Sequence, residues 1–562
     1  MDPETYPAQA GRAAESARLG AEIFDVAVIG GGINGAAIAR DTALRGLNIA
    51  LVDRGDFAGA TSSHSSKLIH GGLRYLPQGQ IRLVYHSLRE RERLRRLTAP
   101  HLVGPIQFLF PFYAGRRPGR WAISAGLVLY DLFARTPVAE RNRRLSSDEV
   151  RLLEPALDAD GLSGGALYYD GWGDDARLTI ENLVDTAMHR GTVVNYAEVV
   201  SLGHTGGRLA AAIVKDRESG QLIELRARCF VNAAGPWLDR VRMLDDPAAR
   251  ASMRLTKGVH LVVSAAQLPV KNALVLTDTA GRIVFVMPYE EWTLIGTTDT
   301  DYRGDPAQMR VDAEDIDYLI GVVNQAMPGV GLEREDVAYS FAGLRVLPAN
   351  DGGQAPSAVA REEVVSESAS GLISIGGGKL TSHRRMGEQI GAMVLRRLGR
   401  PSGPSPTRTM ALPGARAIVN QMANGRAQEP VDARVWRERC PWLERRYGSR
   451  AAMVLVIARE QPELAQPLSA EAPVIGAEVV FAVRYEWART VSDFLIRRTA
   501  IAWRNPPAAI ASAAAVAKIM AEELGWDRAR MEGALASFLI EMRSERHGGK
   551  PESREADEAE RE

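Results

Sequence analysis

A glycine-rich turn between a short apolar strand and a helix constrains the fold of this chain more than any other feature. Residues 24–29 (FDVAVI) are apolar and β-branched, which predicts a buried parallel strand. Residues 36–44 then read as a helix, and residues 47–52 (LNIALV) read as a second strand. Between the first strand and the helix lie three glycines at GxGxxG spacing: Gly30, Gly32 and Gly35.

Each position of this unit suits a dinucleotide. Gly30 permits the tight turn, Gly32 lets the backbone approach a pyrophosphate, and Gly35 lets the helix pack closely on the strand. The helix N-terminus, where Asn34 lies, offers N–H donors and a positive dipole end to phosphate. An acid about 20 residues after the glycines binds the ribose hydroxyls, and Asp53 stands there. The unit predicts a dinucleotide site and leaves FAD and NAD both open.

The fingerprint occurs once, whereas an enzyme that passes hydride between NAD and FAD usually needs two such units. Two later segments look like returns of the chain to the same domain, residues 229–237 (CFVNAAGPW) and 372–382 (LISIGGGKLTS). Each is a strand that runs into small residues, where the backbone can approach a cofactor. The combination favours one large cofactor, FAD, bound across several segments.

Length, charge and cysteine content narrow the class of protein. The chain has 562 residues, so two or three domains are expected, and its formal net charge is zero, which points to no nucleic-acid partner. Cys229 and Cys440 are far apart and lack metal-ligand spacing. We therefore expect a reducing compartment, no metal site and no disulfide-reductase chemistry. Without an evident signal peptide or membrane span, the sequence predicts a cytoplasmic protein.

The order of patterns along the chain predicts the domains. Short apolar strands alternate with amphipathic helices up to about Leu398, and a helical pattern follows the run RPSGPSP. These patterns predict an α/β fold plus a C-terminal all-helical domain, and the family resemblance given below implies that a Rossmann-like FAD-binding domain is interleaved with a β-sheet substrate domain. The predicted regions are a flexible tail (1–20), the oxidoreductase core (21–398), a linker (399–407), the helical domain (408–545) and a disordered charged tail (546–562).

Residues 61–76 (TSSHSSKLIHGGLRYL) resemble the flavin segment of the FAD-dependent glycerol-3-phosphate dehydrogenases, the aerobic, quinone-linked enzymes. The resemblance extends over most of the chain, through GRIVFVMPYEEWTLIGTTDTDY (281–302), AGLRVL (342–347), GGGKLTSHR (376–384) and VRYEWARTVSDFLIRRTAIAW (483–503). It implies FAD as cofactor and oxidation of sn-glycerol 3-phosphate to dihydroxyacetone phosphate, with hydride passing from C2 to the flavin. Asp53 departs from the pattern, since many relatives carry Glu.

Such chemistry needs groups for the substrate phosphate and for the C2 hydroxyl. The resemblance places Arg74 and Arg345 beside the flavin, where arginine forks match phosphate oxygens and stay charged when desolvated. Tyr75 adds a hydroxyl donor, and Lys379 would stabilise reduced flavin or contact a substrate oxygen. His260 is a candidate base or orienting group, because histidine titrates near neutral pH, although a buried structural histidine is the alternative. Arg345, His260 and Lys379 form the predicted catalytic set.

The fingerprint and the resemblance together give the predicted cofactor contacts. Covalent attachment of flavin through His64 or His70 stays open. The predicted set is Gly30, Gly32, Asn34, Gly35, Asp53, Arg54, Thr61, Ser62, Ser63, Ser66, Lys67, Leu68, His70, Gly72, Ala233, Ala234, Gly235, Gly343, Gly378, Lys379, Leu380 and Thr381.

The electron acceptor must come from outside, since the sequence holds no haem motif and no iron–sulfur cysteine set. The resemblance implies a membrane quinone. Residues 82–96 are basic and amphipathic, and the apolar run 122–133 follows Arg116, Arg117, Arg120 and Trp121, which suits an anionic membrane surface. An ordinary solvated helix explains the pattern equally well. Molecular oxygen is the other acceptor, which would make the protein an oxidase.

Two further functions stay open at this point. One is an FAD-dependent amine or amino-acid oxidase, although two arginines and a lysine suit a phosphate better than a carboxylate. The other is a non-catalytic, flavin-binding sensor at a membrane. The sequence also leaves open whether the C-terminal helices form a homodimer interface or cap the substrate domain.

Overall fold

The computed structural model of the protein describes residues 11–76, 79–115, 120–349, 363–419 and 439–547. The strands in these ranges are numbered in chain order. From β1 to β20 they are Ile23–Phe24, Val26–Ile29, Ile49–Val52, Leu68–Ile69, Val103–Tyr113, Arg143–Leu145, Leu162–Gly173, Thr192–Val194, Ala197–Thr205, Arg208–Asp216, Leu222–Ala227, Phe230–Asn232, Met253–Ser264, Ala273–Thr277, Ile283–Tyr289, Trp292–Gly296, Thr300–Tyr302, Val337–Pro348, Glu363–Glu367 and Ile373–Gly377.

The helices of the same ranges are numbered likewise. None of them is both apolar enough and long enough to span a lipid bilayer. From α1 to α15 they are Arg12–Ala21, Ile33–Leu44, Ile81–Arg93, Arg120–Ala134, Ser147–Leu153, Asp175–Met188, Leu238–Asp245, Ala313–Ala326, His383–Arg397, Trp442–Tyr447, Ala451–Glu460, Gly476–Tyr485, Ile501–Arg504, Pro506–Leu524 and Arg528–His547.

The predicted nucleotide-binding domain is built on a six-stranded sheet in the order β19-β20-β12-β2-β3-β8. Its strands run parallel except β19, which pairs antiparallel to β20 at the edge. Every residue of β2 and β3 is buried, as expected for strands covered on both faces. The helix α2 packs against α6 and α9 on this sheet. The strand–glycine–helix unit and the two later returns of the chain, β12 and β20, are confirmed.

The predicted substrate domain is built on a larger mixed sheet of ten strands, whose main path is β17-β13-β16-β15-β14-β5-β7-β4. Two further strands join it, with β18 beside β13 and β6 beside β7. The helix α8 packs on one face of this sheet. The C-terminal helices share a hydrophobic core with the other face. Because strands of the two sheets alternate along the chain, the predicted interleaving of the domains is confirmed, as is the helical domain.

Buried ion pairs join the helical domain to the nucleotide-binding domain. The guanidinium of Arg177 on α6 donates to both carboxylate oxygens of Glu486, at 2.5 and 2.8 Å. Arg450 bridges Glu486 and Glu181 at 2.7 Å each. All four side chains are at most 1% exposed. These ion pairs therefore fix the helical domain to the core, because losing one partner would leave the other as an uncompensated buried charge.

Sequence predictions for the N-terminal tail and the linker can be compared with the structure, whereas those for the outermost residues cannot. Residues 12–21 form α1, with Leu19 buried and the Arg12 guanidinium bonded to Asp216, so the flexible tail predicted for residues 1–20 is wrong from Arg12 onward. In the predicted linker, Ser405 and Thr407 are buried and Ser405 donates to Asp41 on α2. Residues 1–10 and 548–562 lie outside the described residues.

Candidate active site

The glycine turn has the close contacts that its sequence predicts. Gly30 has φ +112°, and a Cβ there would lie 2.5 Å from the Ala233 carbonyl oxygen. A Cβ on Gly35 would lie 1.8 Å from the Gly30 carbonyl oxygen. The Asp53 carboxylate accepts the N–H groups of Gly31 and Gly55 at 2.6 and 2.8 Å. Burial raises the pKa of Asp53 to about 6, against the lowering effect of these two bonds. Asp53 therefore fixes the turn itself.

Replacing Gly35 with alanine is expected to yield protein that purifies without bound flavin, because the new methyl group would force the turn open. The matched control is Gly321→Ala. Gly321 also lies in a helix, α8, but a Cβ there would meet nothing within 4 Å. Alanine at that place should keep FAD and stabilise the helix by about 0.5–1 kcal/mol. The ratio of flavin to protein absorbance measures FAD retention in both variants, and thermal unfolding measures the stability of Gly321→Ala. A Gly35→Ala protein that purifies with its flavin would contradict the role given to the turn.

A cavity of about 960 Å³ opens from the N-terminus of α2 toward the large sheet. It is lined by segments that are far apart in the sequence, including the glycine turn, the serine-rich segment and the turn after β20. The predicted site residues on its wall are Gly32, Asn34, Thr61, Ser62, Ser66, Leu68, His70, Gly72, Ala233, Gly235, His260, Gly343, Arg345, Gly378, Lys379, Leu380 and Thr381.

Several other predicted residues do not line the cavity. The Arg54 guanidinium stacks on Trp237 at 4.8 Å, and the Tyr75 side chain is buried below Lys379. The side chain of Arg74 lies outside what the structure describes, so its assignment to the substrate phosphate stays a prediction. The other predicted cofactor contacts do not line the cavity, and they pack against or bond to neighbouring segments. They are Gly30, Gly35, Asp53, Ser63, Lys67 and Ala234.

The side chain of Lys67 points into the protein and does not line the cavity, whereas the sequence suggested a direct contact with the cofactor. Its backbone has φ +58°, and its Nζ donates to the Ser63 carbonyl and, at 2.7 Å, to the Asp175 carboxylate. Asp175 also accepts the hydroxyl of Ser65 at 2.6 Å. The serine-rich segment is thus wrapped around one buried carboxylate at the start of α6, and this wrapping presents Ser62 and Ser66 to the cavity.

Arg345 on β18 is held by a segment that the sequence reasoning did not single out residue by residue. Its guanidinium donates to the Thr297 hydroxyl at 2.7 Å, the Thr298 carbonyl at 3.0 Å and the Asp299 carboxylate at 3.1 Å. A Cβ on Gly258 of β13 would lie 2.3 Å from the same guanidinium. The signal was the GTTDTD run within residues 281–302, whose threonines and acids stand directly after a strand.

His260 lies in the interior of the large sheet. Its Nε2 is 2.8 Å from the Ser66 hydroxyl, and its ring stacks on Phe341 with centroids 4.8 Å apart. Its Nδ1 is buried with no hydrogen-bond partner among the described residues. Burial, followed by the charges of Arg345 and Lys67, holds the pKa of His260 well below its ordinary value. The imidazole is therefore neutral at physiological pH, so it can accept a proton but holds it weakly.

Lys379 stands where β20 ends and the chain turns toward α9. Its ammonium lies 4.0 Å from the centre of the Tyr75 ring, in cation–π contact. Gly72, at φ +84°, passes so close that a Cβ there would lie 2.9 Å from Nζ. The side chain is 8% exposed and lines the cavity. A cation is thereby fixed at the wall, as the sequence predicted.

One side of the cavity is apolar, a feature that the sequence analysis missed. It is bounded by α4, β5 and β15, and its side chains include Phe108, Phe110, Ile123, Leu129 and Phe285. These positions are scattered over three elements that meet only in the folded sheet, so periodicity along one segment could not reveal them. The cavity therefore has a polar end at Arg345 and an apolar arm beside α4.

The residues around the cavity fit a flavin dinucleotide. The turn at Gly30 leaves no room for a side chain, the N-terminus of α2 faces the opening, and Gly343 lies where a Cβ would come within 2.5 Å of the His64 carbonyl. Backbone exposed at Gly32 and at Gly376–Gly378 borders the same space. Such a cradle of glycine backbone beside a helix N-terminus is what a pyrophosphate and a planar ring system require.

The fold and the cavity define the class of FAD-dependent oxidoreductases, and residues 25–389 match that family, while residues 405–531 match the C-terminal domain of alpha-glycerophosphate oxidase. The chain is 36% identical over 530 residues to the glycerol-3-phosphate dehydrogenase of Synechocystis sp., covering 92% of this chain and 95% of that one. The chain belongs to the FAD-dependent glycerol-3-phosphate dehydrogenase family, and FAD is its cofactor.

Two further relatives agree with this assignment. The aerobic glycerol-3-phosphate dehydrogenase of Bacillus subtilis is 35% identical over 513 residues, which cover 90% of this chain and 92% of the relative. The crystal structure of the glycerol-3-phosphate dehydrogenase from Bacillus halodurans complexed with FAD superposes with a TM-score of 0.79 at 30% identity, covering 97% of this chain and 99% of that one.

Proposed function

We propose that the protein oxidises sn-glycerol 3-phosphate to dihydroxyacetone phosphate and passes the electrons to a membrane quinone. The observation that carries the proposal is the convergence of Arg345, His260 and Lys379 on the cavity that the FAD-binding segments line. Two cations suit a phosphate dianion, and a neutral imidazole suits a hydroxyl proton. The names of the relatives point to the same substrate.

Each residue has one task in this reaction. Arg345, fixed by Thr297 and Asp299, holds the substrate phosphate as a rigid fork. His260 accepts the proton of the C2 hydroxyl at Nε2, which exchanges its contact with the Ser66 hydroxyl, 2.8 Å away, for one with the substrate hydroxyl. Lys379 supplies the second fixed positive charge at the cavity wall. Bound FAD supplies the hydride acceptor, so that C2 loses a hydride and the oxygen loses a proton to give the ketone.

An anaerobic titration tests the substrate. The visible spectrum of the purified holoenzyme is recorded before and after adding glycerol 3-phosphate, with glycine and sarcosine in parallel. Bleaching of the oxidised flavin band by glycerol 3-phosphate alone is the expected result. Bleaching by the amino acids instead would make the protein an amine oxidase, and no bleaching by any of the three would favour a non-catalytic flavin sensor.

The apolar arm of the cavity and the surface of α3 and α4 support a membrane quinone. One stripe of α4 buries Ile123 and Leu127 against the sheet, while the opposite stripe exposes Val128 (63%) and Leu132 (70%). Tyr85 on the neighbouring α3 extends this apolar surface and contacts Phe133 edge-on. Exposed apolar side chains directly outside an apolar cavity suit an acceptor dissolved in lipid.

The basic character of residues 82–96 contributes less to this surface than the sequence suggested. Arg91 is buried and pairs with Asp170 at 2.8 Å. Arg93 pairs with Glu90, and Arg95 with Glu140, at 2.6 and 2.9 Å. Arg116 and Arg117, like the side chains of Arg120 and Trp121, lie outside what the structure describes. We therefore propose that apolar contact, rather than a basic face, provides most of the membrane affinity.

Replacing Val128 and Leu132 together with serine is expected to lower co-sedimentation with lipid vesicles several-fold and quinone-linked turnover in parallel, with turnover of a soluble dye unchanged. The matched control is Leu222→Ser on β11, whose side chain is 64% exposed on a separate four-stranded sheet in the order β1-β11-β10-β9. Wild-type binding should persist on uncharged vesicles and in high salt. A double variant that binds vesicles like the wild type would exclude this surface, and peroxide formation without quinone reduction would make the protein an oxidase.

A further inference from the structure

The loop that follows β3 forms the back wall of the glycine turn. Phe57 is buried against Gly31, where a Cβ would come within 2.4 Å of the Phe57 ring. The Ala58 N–H donates to the Gly31 carbonyl at 3.1 Å, while Asp53 accepts the Gly31 N–H. Both backbone groups of Gly31 are therefore bonded to this loop. The position of the turn that cradles the pyrophosphate depends on where the loop is held.

Two arginines of the helical domain hold the loop at Asp56. Arg498 donates to both carboxylate oxygens of Asp56, at 2.7 and 2.8 Å, and the Arg497 Nε donates at 2.5 Å. Trp487, also from the helical domain, meets the Phe57 ring edge-on at 5.4 Å. The helical domain thus holds the loop through one carboxylate and one aromatic ring, with residues more than 400 positions later in the chain, while Asn195 donates to the same carboxylate at 3.1 Å.

These contacts are buried, which makes them sensitive to the loss of one partner. The side chains of Asp56 and Arg498 are 1% and 0% exposed. Burial alone would raise the pKa of Asp56, but the charges of Arg498 and Arg497 outweigh it and lower the pKa. Arg498 is itself fixed, since its Nε donates to the Glu486 carbonyl at 2.7 Å. A bidentate pair of this kind sets distance and direction together.

We infer that the C-terminal helical domain holds FAD in place: Arg498 is a positioning residue that acts through Asp56 and Phe57 on the pyrophosphate-binding turn at Gly31. It lies outside the cavity wall, so it exerts this effect without touching the cofactor. The helical domain thereby contributes to cofactor retention, beyond covering the substrate sheet. The inference rests on FAD as the cofactor and is independent of the substrate and of the electron acceptor.

The test compares Arg498→Met with Arg446→Met in the holoenzyme. Arg446 is also buried in the helical domain, but its guanidinium donates to the Glu478 carboxylate and the Pro473 carbonyl, which lie outside the loop of residues 53–58. The readouts are the rate of FAD release, followed by flavin fluorescence, and the thermal midpoint. We expect release at least ten times faster for Arg498→Met and within twofold of wild type for Arg446→Met, although both lower Tm.

Two further variants keep the inference falsifiable if Arg498→Met fails to fold. Trp487→Leu removes only the ring that meets Phe57 and should speed FAD release several-fold, whereas Arg498→Lys keeps the charge without the fork and should recover only part of the loss. Release at the wild-type rate from Arg498→Met or Trp487→Leu would overturn the inference. So would equal acceleration in Arg446→Met, because that would trace the effect to general destabilisation.

Discussion

Replacing Arg345 with methionine is expected to lower kcat/KM for glycerol 3-phosphate about 10³-fold, equivalent to about 4 kcal/mol of transition-state stabilisation, while FAD stays bound. The guanidinium is fixed by Thr297, Thr298 and Asp299, so it can meet a phosphate without losing side-chain freedom. Its recorded bonds go to the segment after β16 and not to the glycine turn, and the flavin spectrum should therefore be retained. Steady-state kinetics and the visible spectrum together measure both effects.

Two companion variants make this result specific. Arg345→Lys should recover little, because a lysine offers a single ammonium where the site holds a planar fork. Arg254→Met is the matched control: Arg254 pairs with Asp301 at the surface of the same sheet and does not line the cavity. Its kcat/KM should stay within a few-fold of wild type. An Arg345→Met enzyme with normal kinetics would show that another group binds the phosphate.

Replacing Lys67 with methionine is expected to destabilise the protein by about 3–5 kcal/mol and to weaken FAD retention, because Asp175 would be left charged and buried without its partner. The two side chains are 6% and 0% exposed and lie 2.7 Å apart. The same lysine also holds the Ser63 carbonyl, so its loss would loosen the segment that presents Ser62 and Ser66. Thermal unfolding of the holoenzyme and the flavin-to-protein ratio measure the two effects.

The double variant Lys67→Met with Asp175→Asn separates charge from packing. A neutral asparagine needs no counterion, so the double variant should regain much of the stability that Lys67→Met loses. As a control, Arg528→Met removes an ion pair with Glu532 in which the arginine is 88% exposed, and Tm should hardly change. If Lys67→Met melts at the wild-type temperature, the buried pair does not stabilise the segment.

Local patterns in the sequence predicted those parts of the fold that depend on near neighbours. The strand, the glycine turn, the helix and the second strand occur as β2, α2 and β3, because their periodicity and turn residues are encoded within about thirty positions. The returns at β12 and β20 were visible for the same reason. The helix α1 was missed, since its partners Asp216 and Asn195 lie about 200 residues later.

The site divides in the same way. Motif position predicted that Arg345, His260 and Lys379 belong together, and the cavity contains all three. The direction of the Lys67 side chain toward Asp175 was not predicted, because a lysine beside a cofactor and a lysine turned toward Asp175 have the same sequence. Two features arise only where separate elements meet. One is the set of hydrogen bonds from Arg345 to Thr297 and Asp299, and the other is the apolar arm beside α4. Such features depend on tertiary contacts that no local pattern contains.

The interleaved strand order governs how the protein can form during synthesis. The strand β2 pairs with β12, so Val28 cannot pair until Val231, about 200 residues later in the chain, has been synthesised. At roughly 5–20 residues per second, a ribosome needs roughly 10–40 s to make that stretch. Throughout this interval the half-built sheet presents an open apolar edge, and nascent chains on neighbouring ribosomes can pair through it. Slower translation between β3 and β12 would lengthen this exposure and raise aggregation before any folded enzyme exists.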